Sequence, residues 1–196
     1  KEEYLTHIVD TENLYLVTKD TKQVYLRSIN LKNKKENIIS LTLNKCFDIL
    51  IIDNELTLIG STNDDASITK YTKNLNFLYD YKFGGSGKEA FVKAYYDNNQ
   101  YYLIGLKDAH SKNSPFMDVG SQNEVKTFVS IVSENGIIED SIYFNHQEKY
   151  EELYTSSFNN DLLMVSIKLN NSYQTYVVDS NLEKVYYEET TNMDCH

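Results

Sequence analysis

The sequence predicts an all-β fold: a β-propeller built from four-stranded antiparallel blades, of which four are recognisable. Three observations predict it. First, "IVDTENLYLVT" (8–18), "IIDNELTLIGS" (51–61), "YYDNNQYYLIG" (95–105) and "SFNNDLLMVSI" (157–167) share one pattern, in which an apolar strand meets Asp or Asn, turns through small polar residues and re-enters a strand. Second, the re-entering strands end at Thr18, Gly60, Gly105 and Ser166, spaced 42, 45 and 61 residues apart. Periods of ~40–50 residues with four strands each are a blade signature. Third, no 3.6-residue apolar period persists over any long window.

Each unit then reads in the same order. The first strand runs into Asp10, Asp53, Asp97 or Asn159, residues whose side chains bond the nearby backbone and tolerate positive φ. A third strand follows in "VYLRSI" (24–29), "ASITKY" (66–71), "TFVSIV" (127–132) and "QTYVVD" (174–179). Turns containing Asn-Leu or Asn-Gly lead to the fourth strand, around "IISLTL", "LYDYKF", "EDSIYF" and "KVYYEE". The predicted blades are 2–45, 46–88, 89–149 and 150–189 of one domain spanning residues 1–196.

Composition agrees. A chain of 196 residues, 41% hydrophobic and with 7 Gly and 1 Pro, can bury a core and is no linker. Its 17 Tyr and 8 Phe suit half-buried pleated surfaces. A formal charge of −10 argues against nucleic acid and anionic membrane, which are held by Lys and Arg, and favours a basic or cationic partner. No apolar run reaches the ~20 residues of a membrane-spanning helix, so membrane insertion is not expected. Cys46 and Cys195 are too few and too far apart to read as a disulfide framework or a metal knuckle.

The run 67–109, with Phe83-Gly84-Gly85 between strands and "YYLIG" closing the next hairpin, resembles the repeats of secreted bacterial β-propeller proteins. It departs from them elsewhere: the other junctions lack Gly-Gly, Asn98-Asn99 stand where those repeats carry Gly-Gly, and the chain has no Trp. The resemblance implies an extracellular or cell-surface binding or scaffold protein, and carries over no catalytic residue.

Because both ends fall near unit boundaries, the sequence favours a closed four-blade ring over part of a larger one. A partner chain completing the ring is the alternative. The chain opens at Lys1 without Met, which fits a piece of a larger protein.

Two groups of residues are candidates for function. The stretch between Gly105 and Phe128 is expanded relative to the same loop in the first two units, and lies on the face where successive blades connect. Long loops in compact domains often bind. Asp108, His110, Asp118 and Glu124 offer oxygen and imidazole ligands there, and Phe116 and Met117 an apolar contact for a protein or glycan partner. The loop is expected to be separable from the fold. Counting back from the turns aligns Glu3, Glu89 and Glu152 at the starts of blades, where a channel mouth of carboxylates would hold a hard cation such as Ca²⁺; no other cofactor is expected.

Catalysis has little support. His7, His110, His146 and His196 form no metal or nucleophile motif. A carboxylate-dependent glycan hydrolase using pairs such as Asp108 with Asp118, or Asp64-Asp65, is the alternative to a non-enzymatic binding module.

Overall fold

A computed structural model describes residues 1–108, 113–116, 124–144 and 150–191, and contains no helix among them. Sixteen strands make four antiparallel sheets whose strands follow one another in chain order. Blade 1 holds β1 (Glu3–Val9), β2 (Asn13–Lys19), β3 (Val24–Asn30) and β4 (Glu36–Ser40). Blade 2 holds β5 (Lys45–Ile52), β6 (Glu55–Thr62), β7 (Asp65–Thr72) and β8 (Phe77–Phe83). Blade 3 holds β9 (Glu89–Asp97), β10 (Gln100–Asp108), β11 (Val125–Ser133) and β12 (Ile138–Tyr143), and blade 4 β13 (Glu152–Asn159), β14 (Leu162–Lys168), β15 (Ser172–Val178) and β16 (Lys184–Thr191).

Local chemistry explains the hairpins. Asp53-Asn54, Asn63-Asp64, Asn98-Asn99 and Asn160-Asp161 all have positive φ at both positions, as tight hairpin turns of the right twist require. Blade 1 differs: Asp10 Oδ1 accepts the N–H groups of Glu12 and Asn13, at 2.8 and 2.7 Å, and makes the turn with its side chain. In the turns between third and fourth strands, Leu75 and Leu182 hold φ of 66° and 59°, unusual for a bulky residue. Both are buried between blades, so core packing offsets the strain.

The repeated small residue also has a cause. The first strand of every blade slips register against the second, between Tyr4 and Thr6, Cys46 and Asp48, Phe91 and Lys93, and Leu153 and Thr155. Thr18, Gly60, Gly105 and Ser166 face these bulges. At Gly60 a Cβ would meet the Lys45 carbonyl oxygen across the bulge, at Gly105 the Phe128 ring, while blades 1 and 4 take Thr18 and Ser166 there.

Blades stack through apolar faces. Tyr15, Val17, Leu26, Leu56 and Leu58 share the core between blades 1 and 2; Ile59, Ile68, Phe83, Phe91, Leu103 and Phe128 that between blades 2 and 3; Ile104, Val129, Leu163, Val165 and Val178 that between blades 3 and 4. Asp10 adds a latch, its carboxylate 2.8 Å from the Lys73 ammonium of blade 2. Desolvation pushes the Asp10 carboxyl up, but Lys73 and the two N–H groups outweigh it and hold it at about 2. A carboxylate whose folded pKa is depressed stabilises the fold fully above its unfolded value, and that contribution disappears as pH falls through about 2. Asp10→Asn should therefore cost about 1 kcal/mol near neutral pH, allowing for solvent screening, and flatten the acid limb of stability below about pH 4 in denaturant titrations.

A closed ring of four blades needs a fourth core, between blade 4 and blade 1. Among the described residues there is none: every buried hydrophobic side chain belongs to one of the three cores. Among the described residues, blades 1 and 4 therefore share no core, and each keeps one face outside the three. On blade 1 the free face carries Leu14, Ile29 and Ile38, with Val9 and Ile38 51% and 47% exposed. On blade 4, Met164, Val177 and Tyr186 stand in register beside Leu162, with Leu162 and Tyr186 43% and 50% exposed.

Candidate functional site

The expanded connection leaves β10 at Asp108 and re-enters at β11, on the face where blades join. His110, Met117 and Asp118 lie outside the described residues. Phe116 does not present a surface. It is buried against Phe128, Phe91 and Phe83, with ring centroids 4.3, 5.9 and 6.4 Å away, and its carbonyl accepts a 2.9 Å hydrogen bond from Lys107 Nζ. The insertion is thus pinned into the core between blades 2 and 3, and the expectation that it could be replaced without harm to the fold does not hold.

Beneath the pin runs a row of buried charge. Glu89, Lys107 and Lys126 face one another in register across β9, β10 and β11, and Glu151 reaches across from the start of blade 4. Glu151 lies 3.4 Å from the Lys126 ammonium and accepts the Thr127 N–H at 2.7 Å. Among the described residues the row holds two acidic and two basic side chains, and removing one would leave its neighbours unmatched in a dry environment. Both oxygens of Glu89 are buried without a hydrogen-bond partner. The lysines were the residues the sequence reading missed. Their signal was parity: Lys107 and Lys126 lie on the same side of their strands as Leu103 and Phe128.

Asp108 and Glu89, predicted separately, come together. Both line a small cleft of about 190 Å³ between blades 2 and 3, with Phe47, Asp64, Lys88 and Lys107. Asp108 serves the backbone there, its Oδ2 accepting the Lys88 N–H at 3.0 Å while its own N–H donates to the Lys88 carbonyl at 2.8 Å. Glu124 is half-buried just before β11. Glu3 and Glu152 are exposed at the starts of β1 and β13, and Glu152 lies 3.3 Å from Lys168. Among the described residues no three His, Cys, Asp or Glu side chains gather closely enough to hold a metal ion, so Glu3, Glu89 and Glu152 do not form one cation site.

Cys46 is a buried free thiol whose pKa is pushed up to about 12 by desolvation and by the charge of Asp48. Cys195 lies outside the described residues.

The fold is that of a β-propeller. The β-propeller domain of Nup133 from Vanderwaltozyma polyspora superposes on 98% of this chain and 64% of that domain, at 11% identity and a TM-score of 0.54. A DUF4221-family protein of Bacteroides vulgatus matches over 95% of this chain and 63% of that one, at 11% identity and a TM-score of 0.47. The WD40 domain of Toxoplasma gondii coronin matches over 98% and 65%, at 10% identity and a TM-score of 0.46. The chain spans less than two thirds of the length of each. No protein-family model matches it, and no curated protein matches it in sequence. No helix among the described residues is long and apolar enough to cross a membrane.

Proposed function

We propose that the chain is a non-enzymatic interaction module of an exported or surface bacterial protein, and that a protein partner covers its free end blades and completes the propeller. One observation carries this reading: among the described residues four blades share three cores, so blade 1 keeps Val9, Leu14, Ile29 and Ile38 outside any core, around the Arg27 ion pairs with Glu2 and Glu36, and blade 4 keeps Leu162, Met164, Val177 and Tyr186. Contiguous exposed apolar surface marks interaction sites. Secretion rests on the likeness of residues 67–109 to secreted propeller repeats.

The test is the molar mass of the purified chain against concentration. With its partner absent, the chain should associate through the uncovered faces and run above its monomer mass of 22.8 kDa. Ile38→Glu combined with Val177→Glu should restore the monomer without lowering the melting temperature. A wild-type chain that stays monomeric at high concentration and binds no hydrophobic dye would sink the reading.

The crossover face is a second binding surface. The cleft that Phe47, Lys88, Glu89 and Asp108 line on that face favours this.

A further inference from the structure

The chain carries ten more negative than positive charges, yet the charged side chains lining one large cleft are all lysines. It opens on the crossover face between blades 1 and 2 and has a volume of about 580 Å³. Its walls are the β2–β3 turn, the 41–44 connection, the β6–β7 turn and the end of β8. Lys19, Lys22 and Lys82 line it, and no Asp or Glu does.

The nearest acids are engaged. Asp20 turns its Oδ1 to the N–H groups of Lys22 and Gln23, at 2.7 and 2.8 Å, and its Oδ2 to the Tyr25 hydroxyl at 3.0 Å. Asp80 lies 3.1 Å from Lys82 and neutralises part of that charge. Lys19 spends one donor on the Asn44 carbonyl at 3.4 Å, and the Lys22 ammonium, whose charge acts on Asp20, makes no hydrogen bond or ion pair among the described residues. Two ammonium groups therefore keep donors for a ligand. The Asn44 side-chain oxygen accepts the Asn63 N–H, and Asn44 lines the cleft. Thr21, Thr42, Thr62, Asn63 and Gln23, whose Nε2 donates to the Leu41 carbonyl, add hydrogen-bonding groups, and Val24, Leu41 and Leu43 complete the lining.

We infer that this cleft binds a small anionic sugar, with Lys19 and Lys22 holding the anionic group and the amide and hydroxyl side chains meeting the sugar hydroxyls. Size and charge select this class. The volume falls within the ~300–1,000 Å³ typical of small-molecule sites. Charges separate over a screening length of roughly 8 Å at physiological salt, so the local lysines govern a ligand within the cleft while the acidic remainder repels an extended polyanion. No aromatic ring lines the cleft, so a nucleobase finds nothing to stack on. The inference does not depend on the end blades.

The test is titration calorimetry of the whole chain with glucose 6-phosphate, glucuronate, inorganic phosphate and glucose. At least one of the two anionic sugars should bind, and do so roughly tenfold or more tighter than glucose or phosphate, with affinity falling as NaCl rises from ~0.05 to ~0.5 M. The double variant Lys19→Gln/Lys22→Gln should lose about tenfold in affinity, and Lys19→Arg/Lys22→Arg should retain most of it, with unchanged melting temperatures showing both to be folded. The arms distinguish a phosphorylated from a carboxylated sugar. Failure of both anionic sugars to bind, equal binding of glucose, equal binding of bare phosphate, or binding that survives the Gln double variant would each overturn the inference.

Discussion

Phe116→Ala is expected to lower stability by about 3 kcal/mol, near the lower end for a buried phenylalanine, and the melting temperature by roughly 6–12 °C for a domain of this size. The ring is 1% exposed and touches three other phenylalanines, two from blade 3 and one from the end of blade 2. Removing it leaves a void where two blades meet and frees the carbonyl that holds Lys107. Phe116→Leu, which keeps most of the volume, should cost only about 1 kcal/mol. The signature beyond a lower melt is local: amide exchange at the ends of β10 and β11 should accelerate more than in β6. A melt unchanged by Phe116→Ala would mean that Phe116 is not anchored as described.

Gly60→Ala should be at least as damaging. A Cβ built on Gly60 would lie 1.9 Å from the Lys45 carbonyl oxygen and 3.1 Å from Cys46 Cα, so side chain would meet backbone at the bulge. No rotamer relieves such a contact; β5 must shift, and a shift there disturbs Cys46 and Ile49 in the core between blades 1 and 2. We expect a loss of at least about 3 kcal/mol, the upper end for overpacking, or failure to fold. Gly105→Ala offers the control. Its Cβ would lie 2.2 Å from Cζ of Phe128, a ring that can tilt, so its cost should be smaller. Urea unfolding of both variants measures the order, and a Gly60→Ala protein as stable as wild type would refute the account of why small residues recur at these positions.

The cleft and the end faces ask different things of the same chain. The cleft is a polar recess whose specificity would come from fixed donors; the end faces are apolar sheets whose specificity would come from shape. Their variants, Lys19 and Lys22 on one side and Ile38 and Val177 on the other, share no residue, so loss of one property should leave the other intact.

The features legible in the chain alone are local and repetitive. Asp53-Asn54, Asn98-Asn99 and Asn160-Asp161 turn as hairpins because those residue types accept positive φ, and Asn74-Leu75 and Asn181-Leu182 turn where read. The small residues at 18, 60, 105 and 166 marked the period because each blade bulges opposite them. Sixteen strands in four units follow from those signals alone. The tertiary structure decided what faces what. Phe116 reads as an exposed aromatic in a polar loop, and only the convergence of Phe83, Phe91 and Phe128 from two blades draws it inward. Lys107 and Lys126 stand at strand ends, and only the Phe116 carbonyl and Glu151, brought from outside their strands, meet them in the interior. That blades 1 and 4 share no core among the described residues has the same reason. A strand pattern states which residues alternate toward a neighbour, but stacking angle and blade number are set by packing between sheets, and nothing in the repeat tells the last blade whether it meets the first.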